Sequence, residues 1–296
     1  MRPTALIPAL CCAAALVLSL LCLFAGNKPD FMESYDLLTL NTSAVGETFL
    51  NASRTTSSSN PLSNLLTSLS NNITSEINEH IGAVASRLGI EDFYSAHLLT
   101  YCQGQYTPTE APNATLSASD ITKNITACSP RKAMYRFDPT RIVSDALNKT
   151  TGARITLSDI NWPSDIDTGV RALNTLMAAM FVLYVLAIIF IFLSLLAALV
   201  AALSSPGRAS ACVNLALATL AWLAIAIASA LVTAVMIRAV ALINKYGGAV
   251  GVVASRGGRF LALTWAATGL MAVVLVAWIV GVITGRRRGG KEAVYG

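Results

Sequence analysis

Four long apolar segments dominate this sequence, and each is long enough to cross a membrane as a helix. The hydrocarbon core of a bilayer is about 30 Å thick and an α-helix rises about 1.5 Å per residue, so about 20 apolar residues suffice. The first segment is Ala5–Ala25, and the others lie at about 172–203, 211–237 and 260–283. The sequence therefore predicts a mainly α membrane protein with a bundle of four transmembrane helices.

None of the four segments contains an Asp, Glu, Lys, Arg or His residue. Pumps and coupled transporters usually place ionisable groups at membrane depth, so this absence disfavours both classes. The third segment carries Asn214, Thr219, Ser229 and Thr233, whose side chains can form hydrogen bonds between helices. Packing is the favoured interpretation of these groups, and a pore lined by hydroxyl groups stays open as an alternative.

Small residues recur at four-residue spacing in the predicted helices. Ala224 and Ala228 lie in the third segment, and Gly281 and Gly285 lie in the fourth. Small side chains at this spacing let helix backbones approach closely in lipid. We expect these positions to mediate helix packing, either within the bundle or sideways against copies and partners.

The polar segment from residue 26 to residue 170 is predicted to lie outside the cell. It contains all six N-x-S/T triplets of the chain, and such triplets are glycosylated only in the secretory lumen. The predicted acceptors are Asn41, Asn51, Asn72, Asn113, Asn124 and Asn148. The sequence therefore predicts an extracellular, glycosylated domain between the first and second helices.

This placement orients the rest of the chain. Residues 1–25 form a short cytosolic N-terminus and the first helix, residues 171–285 hold the other three helices, and residues 286–296 form a cytosolic tail. The tail begins with Arg286, Arg287 and Arg288, which fits the excess of basic residues on cytosolic flanks. The first segment is longer than a usual signal-peptide core, so a retained span is favoured over a cleaved signal peptide. The prediction is a multi-pass plasma-membrane protein.

The formal net charge of +5 does not indicate nucleic-acid binding. Fifteen of the sixteen acidic residues lie between Asp30 and Asp167, whereas many basic residues flank the apolar segments. A basic total that arises in this way is a feature of membrane flanks. We expect no nucleic acid among the partners.

Cys102 and Cys128 are the only cysteines in the predicted extracellular domain. In an oxidising environment an isolated pair most simply forms a disulfide, which here would close a loop of about 25 residues and stabilise the fold by about 3 kcal/mol. Catalysis by Cys102 would need a free thiolate with a base, for which only His97 is near in sequence. The two histidines, His80 and His97, form no metal-ligand spacing with the cysteines. We expect no metal, no cofactor and no enzymatic activity.

The stretch from Leu62 to Leu88 has apolar residues at steps of three and four. This spacing predicts one face of an amphipathic helix, and Gly89 suits the position just past a helix end. A helix packed on its own domain is favoured over a coiled coil with a partner.

Four stretches carry a resemblance to a known family: DLLTLNTS at 36–43, DFYSAHLLTYCQGQY at 92–106, ACSPRKAMYRFDP at 127–139 and GGRFLALTWAA at 257–267. In these stretches and in its layout the chain resembles the fungal Sur/PalI family of four-span plasma-membrane proteins, with cortical-patch (eisosome-associated) and pH-response members. The family is distantly similar to claudins, whose outer loop carries tryptophans before a closely spaced cysteine pair. This chain has no tryptophan in the loop before Cys102, so a claudin-like β-sheet is not expected.

The resemblance implies a structural role at the cell cortex. We expect a non-enzymatic organising protein that acts by lateral assembly and by extracellular contacts with the cell wall. Its expected partners are membrane lipids, copies of itself or other cortical proteins, and cell-wall glycans. An accessory role in ambient-pH signalling is the alternative, with His80 and His97 as titrating groups, and a channel or channel regulator is the third candidate.

Overall fold

The computed structural model describes residues 3–29, 31–44, 91–108, 121–134, 165–203, 208–248 and 251–292. These residues form four helices and five strands. In chain order the elements are α1 (Pro3–Phe24), β1 (Leu38–Asn41), β2 (Phe93–Ala96), β3 (Tyr101–Thr107), β4 (Thr122–Cys128), α2 (Asp165–Leu203), α3 (Arg208–Gly247), β5 (Val253–Arg256) and α4 (Gly258–Glu292).

All four helices are long and apolar enough to cross a membrane, as the sequence predicted. Three of them extend beyond the apolar segments that predicted them. Helix α3, for example, continues through Arg238 to Gly247, and α4 continues to Glu292. The thickness of the hydrocarbon core determines the length of the apolar segment. It does not limit the helix, because backbone hydrogen bonds continue into the polar residues on either side.

The chain divides into two compact units. The helical unit comprises Met1–Ala25, Ala178–Ala234 and Gly258–Gly296, and the sheet unit comprises Gly26–Met177 and Val235–Gly257. In the helical unit α1 packs along α4. Its core is rich in small side chains such as Ala15, Ala221 and Ala267, each fully buried, which lets the helices approach closely.

Buried polar side chains link all four helices of this unit. Ser229 of α3 bonds to Thr264 of α4 at 2.7 Å and to Thr268 at 2.9 Å, and Tyr184 of α2 bonds to Thr264 at 2.5 Å. The sulfur of Cys12 in α1 lies 3.6 Å from the hydroxyl of Ser194 in α2. These polar groups bond to one another across helices, which supports the packing interpretation of Ser229.

The sheet unit contains a five-stranded antiparallel sheet in the order β4-β3-β2-β1-β5. Four strands come from the segment between α1 and α2, and β5 comes from the connection between α3 and α4. This sheet was not predicted from the sequence. A tryptophan before Cys102 is not required to build it, because large apolar side chains such as Phe93, Leu98 and Leu99 are buried in this unit.

Some expectations fall on residues that the structure does not describe. The amphipathic helix predicted from Leu62 to Leu88 lies outside the described residues, as do His80 and the glycosylation triplets at Asn51, Asn72, Asn113 and Asn148.

Candidate functional site

A disulfide joins β3 to β4 at directly opposed positions. Cys102 and Cys128 are register partners, and their sulfur atoms are bonded. The predicted pairing is confirmed. Because both sulfurs are oxidised and Cys102 is fully buried, neither cysteine offers the thiolate that a nucleophile or a metal ligand requires.

The glycine of the sequence YCQGQY permits the close approach of β3 and β4. The register shifts between Gln103 and Gly104, so the pairing contains a bulge just after the disulfide. A β-carbon on Gly104 would overlap the backbone oxygen of Asn124. The spacing of a cysteine and a glycine two residues later is therefore a packing requirement of this strand pair.

The turn at Gly26 connects the disulfide region to the start of the unit. Gly26 has a φ of 69°, a left-handed conformation that glycine adopts without strain. Its carbonyl oxygen accepts a hydrogen bond of 2.9 Å from the hydroxyl of Thr100, and its amide donates to the carbonyl of Phe31 at 3.1 Å. The ring of His97 occupies the space that a side chain at this position would need.

One face of the sheet carries a cluster of polar and charged groups, here called the polar cluster: Glu33, Asp36, Thr39, Ser95 and Lys123. The ammonium group of Lys123 donates to the Thr39 hydroxyl at 3.2 Å, and that hydroxyl donates to the Asp36 carboxylate at 2.6 Å. The hydroxyl of Ser95 lies 3.5 Å from a carboxylate oxygen of Glu33. The cluster thus connects β4 with β1 and β2.

Aromatic side chains complete this face. The rings of Phe93 and Tyr106 lie 5.1 Å apart, and the Lys123 ammonium lies 5.2 Å from the centre of the Phe93 ring. A cation at this distance above an aromatic face is attracted to it. Lys123 therefore reaches inward from β4 over β2.

Burial raises the pKa of two groups on this face, a carboxyl and a phenol. It raises the pKa of the Glu33 carboxyl, although the positive charge of Lys123 opposes the change. Burial also raises the pKa of Tyr106 to about 12, with a contribution from the negative charge of Asp92. Removal from water disfavours the charged form of both groups.

His97 lies in the interior of the same unit, with 1% of its surface exposed. Burial lowers its pKa to about 4, and the nearby carboxylate of Asp36 opposes this change. The imidazole is therefore neutral at neutral and alkaline pH. It lacks a cysteine thiolate to activate, since the two cysteines of this unit are joined.

The described residues bring together no group of three or more His, Cys, Asp or Glu side chains that could hold a metal ion.

Two of the predicted glycosylation sites, Asn41 and Asn124, are described, and their side chains differ in hydrogen bonding and exposure. The side-chain oxygen of Asn41 accepts bonds from the backbone amide of Ser43 at 3.0 Å and from its hydroxyl at 2.5 Å. Asn124 is exposed in the middle of β4.

The predicted helix-packing residues differ in burial. Ala224 and Ala228 are buried in the helical unit. Gly281 is exposed, and a β-carbon there would meet nothing within 4 Å. Gly285 and the three arginines at 286–288 belong to α4, but their surroundings lie outside the described residues.

A comparison with protein families decides the relationship that the four quoted stretches indicated. The model of the SUR7/PalI family matches residues 4–277, from the start of α1 to the last turns of the fourth membrane segment. The chain belongs to the SUR7/PalI family. No curated protein and no solved structure matches it at the significance applied.

Membership of the SUR7/PalI family covers both units, so it applies to the sheet as well as to the helices. The family is not a known enzyme family.

Two features of this SUR7/PalI chain escape sequence reasoning. The side chain of Asn244 donates to the carbonyl of Ala254 at 3.0 Å and accepts from its amide at 2.6 Å, a pair of bonds that joins α3 to β5. The polar cluster is the second. Its members come from positions as far apart as Glu33 and Lys123, and only the sheet order brings them together.

Proposed function

We propose that this chain is a non-enzymatic structural protein that organises domains of the fungal plasma membrane and links them to the cell wall. In this proposal the sheet unit is extracellular, both termini are cytosolic, and the helical unit assembles sideways with copies of itself or with other cortical membrane proteins. The six glycosylation triplets support the orientation, and family membership supports the role.

The observation that carries the proposal is that three buried polar side chains of the helical unit bond to one another. Ser229, Thr264 and Tyr184 are fully buried and bond to each other across three helices. Groups that bond to each other in this way hold helices together and are not left to bind a transported solute. This arrangement favours a fixed bundle over a channel.

The exposed face of α4 offers a position for sideways assembly. Gly281 has open space beside it, and Gly285 follows at the four-residue spacing that brings transmembrane helices together. Because Gly281 meets no other helix among the described residues, a neighbouring protein can approach it.

A matched pair of substitutions tests this proposal. Gly281→Leu should increase the mobile fraction of a fluorescently tagged protein in the plasma membrane and disperse it from cortical patches. Gly269→Leu, also exposed with nothing within 4 Å, should leave both measurements unchanged. A wild-type protein that diffuses freely as a monomer, with cortex and wall unchanged by its deletion, would contradict the proposed function.

Ambient-pH sensing through His97 receives less support. With a pKa of about 4, this side chain keeps the same charge across the neutral and alkaline range. The double variant His80→Gln and His97→Gln should therefore leave an alkaline signalling response unchanged, whereas loss of that response would restore histidine sensing as a function.

A further inference from the structure

The five-stranded sheet has two edge strands, β4 and β5. An edge strand presents unpaired backbone amides and carbonyls, which can pair with a strand from another chain. Natural sheets protect their edges with charged side chains, bulges or covering segments. The two edges of this sheet differ in their protection.

The β5 edge is covered from within the chain. The side-chain amide of Asn244 forms both a donor and an acceptor bond with the backbone of Ala254, in the centre of a four-residue strand. A side chain that satisfies both backbone groups takes the place of a neighbouring strand there. This edge is therefore closed at Ala254.

The β4 edge contains the bulge between Ala127 and Ile125, but it lacks a comparable covering contact among the described residues. It is seven residues long, and all of its side chains are exposed or half-buried. Thr122, Ile125 and Thr126 are β-branched, which favours extended structure. Its single charged residue, Lys123, would ordinarily guard such an edge. Here its ammonium group is directed inward over Phe93, 5.2 Å from the ring centre.

Asn124 lies in this edge strand and begins the triplet Asn-Ile-Thr. Its side chain is exposed, and its register partner Gln105 on β3 is exposed as well. The hydroxyl of Thr126, the third residue of the triplet, lies within hydrogen-bond distance of two acceptors, a carboxylate oxygen of Glu91 at 2.9 Å and the backbone oxygen of Gln103 at 3.2 Å. In the folded sheet the Thr126 hydroxyl is close to these acceptors and is not free for an enzyme that reads the triplet. Glycosylation of Asn124 would therefore take place before β4 pairs with β3.

We propose that an N-linked glycan on Asn124 covers the β4 edge and prevents it from pairing with β4 of a second copy. The inference rests on the proposed extracellular location of the sheet unit. The donor is a lipid-linked oligosaccharide pyrophosphate of the secretory pathway. The bond between its first sugar carbon and the pyrophosphate oxygen breaks, a bond from that carbon to Nδ2 of Asn124 forms, and lipid pyrophosphate and the amide proton leave.

The position of the glycan explains how it would act. A second strand would have to lie about 5 Å from β4 along the whole pairing region. The side chain of Asn124 leaves the strand toward one face of the sheet, so a branched oligosaccharide attached there, near the middle of a seven-residue strand, lies next to the edge and obstructs an approaching strand. The glycan thus does at the β4 edge what the Asn244 side chain does at the β5 edge.

The experiment uses the full-length protein made in a eukaryotic host and purified in nanodiscs. Asn124→Gln removes the modification, and Thr126→Ser keeps the triplet as a matched control. Asn148→Gln removes another triplet of the same segment and serves as a second control. We expect Asn124→Gln to raise the dimer fraction several-fold and to slow hydrogen exchange of the β4 amides, while both controls behave like the wild type.

Enzymatic trimming of glycans from the folded wild-type protein gives the same test without a substitution. Trimming should raise the dimer fraction and protect the β4 amides, and the trimmed Asn124→Gln variant should show no further change. If Asn124→Gln and the trimmed protein remain as monomeric as the wild type, the covering role is excluded. An unmodified Asn124 beside modified triplets elsewhere overturns this inference alone, whereas six unmodified triplets overturn the extracellular placement itself.

Discussion

The ring of His97 fills the space next to Gly26 in which a β-carbon would otherwise lie. Two features fix this arrangement. Gly26 has a φ of 69°, and its carbonyl is held by the Thr100 hydroxyl, three residues after His97 in the sequence. The first turn of the sheet unit and the hairpin before Cys102 are therefore locked together by one glycine and one buried ring.

Gly26→Ala should destabilise the sheet unit by about 1–3 kcal/mol, because the added methyl group overlaps His97 and the φ angle disfavours alanine. Thermal unfolding followed by the near-ultraviolet circular dichroism of the sheet aromatics measures the change. Gly248→Ala, where the added carbon meets nothing within 4 Å, is the matched control and should shift stability by less than about 0.5 kcal/mol. Equal effects of the two substitutions would contradict the packing of His97 on Gly26.

The stability of the sheet unit should fall in mild acid because of His97. Its pKa is lowered from 6.5 to about 4 in the folded protein, so between these values the unfolded chain binds more protons. Stability is therefore complete above about pH 6.5 and decreases as the pH falls toward 4, by about 3 kcal/mol in total. The raised pKa of Glu33 acts in the opposite direction as its carboxyl ionises.

His97→Gln isolates this contribution, since glutamine does not titrate. Unfolding by denaturant, measured from pH 7 to pH 4.5, should show a shallower loss of stability for His97→Gln than for the wild type. His80→Gln removes the other histidine of the chain and measures its contribution separately. Parallel curves for His97→Gln and the wild type would show that His97 is not buried in its neutral form.

In the helical unit, Ser229→Ala should weaken the packing of α3 on α4. The substitution removes the bonds from Ser229 to Thr264 and Thr268, and interhelical bonds of this kind contribute about 0.6–2 kcal/mol each. Thr219→Ala is the control, because the Thr219 hydroxyl bonds to the carbonyl of Leu215 in its own helix. Unfolding in mixed micelles by increasing sodium dodecyl sulfate compares the two. A larger loss for Thr219→Ala would contradict the role of Ser229.

The sequence predicts two parts of this fold: the helices, which depend on the composition of long segments, and the disulfide, for which each cysteine has one available partner. Four apolar segments predict four helices because a membrane requires that length. The disulfide was predictable because Cys102 and Cys128 have no competing partner in their segment. In both cases local sequence leaves few alternatives.

The sheet was not predictable in the same way. Strands β1, β2 and β5 have four residues each, too few for an alternating pattern to stand out. Leu38 pairs with Arg256, more than two hundred positions away, and no local signal records that contact. The polar cluster depends on the same long-range pairing. The positions of Asp36 and Lys123 relative to each other follow from strand order and not from their spacing in the chain.

The contact between Asn244 and Ala254 provides the last prediction, because it joins the end of α3 to the edge of the sheet by side-chain bonds alone. Asn244→Ala removes both bonds and leaves the backbone of Ala254 unpaired on that side, which should destabilise β5 by about 1–3 kcal/mol. Asn244→Asp keeps the acceptor for the Ala254 amide and loses the donor to its carbonyl, so it should recover part of the difference. Hydrogen exchange of the β5 amides distinguishes the wild type from the two variants. We expect the Ala254 amide to exchange fastest in Asn244→Ala and at an intermediate rate in Asn244→Asp. Ser255→Ala, at an exposed position of the same strand, should leave the exchange of Ala254 unchanged. Wild-type exchange at Ala254 in Asn244→Ala would mean that pairing with β1 alone holds the strand in place.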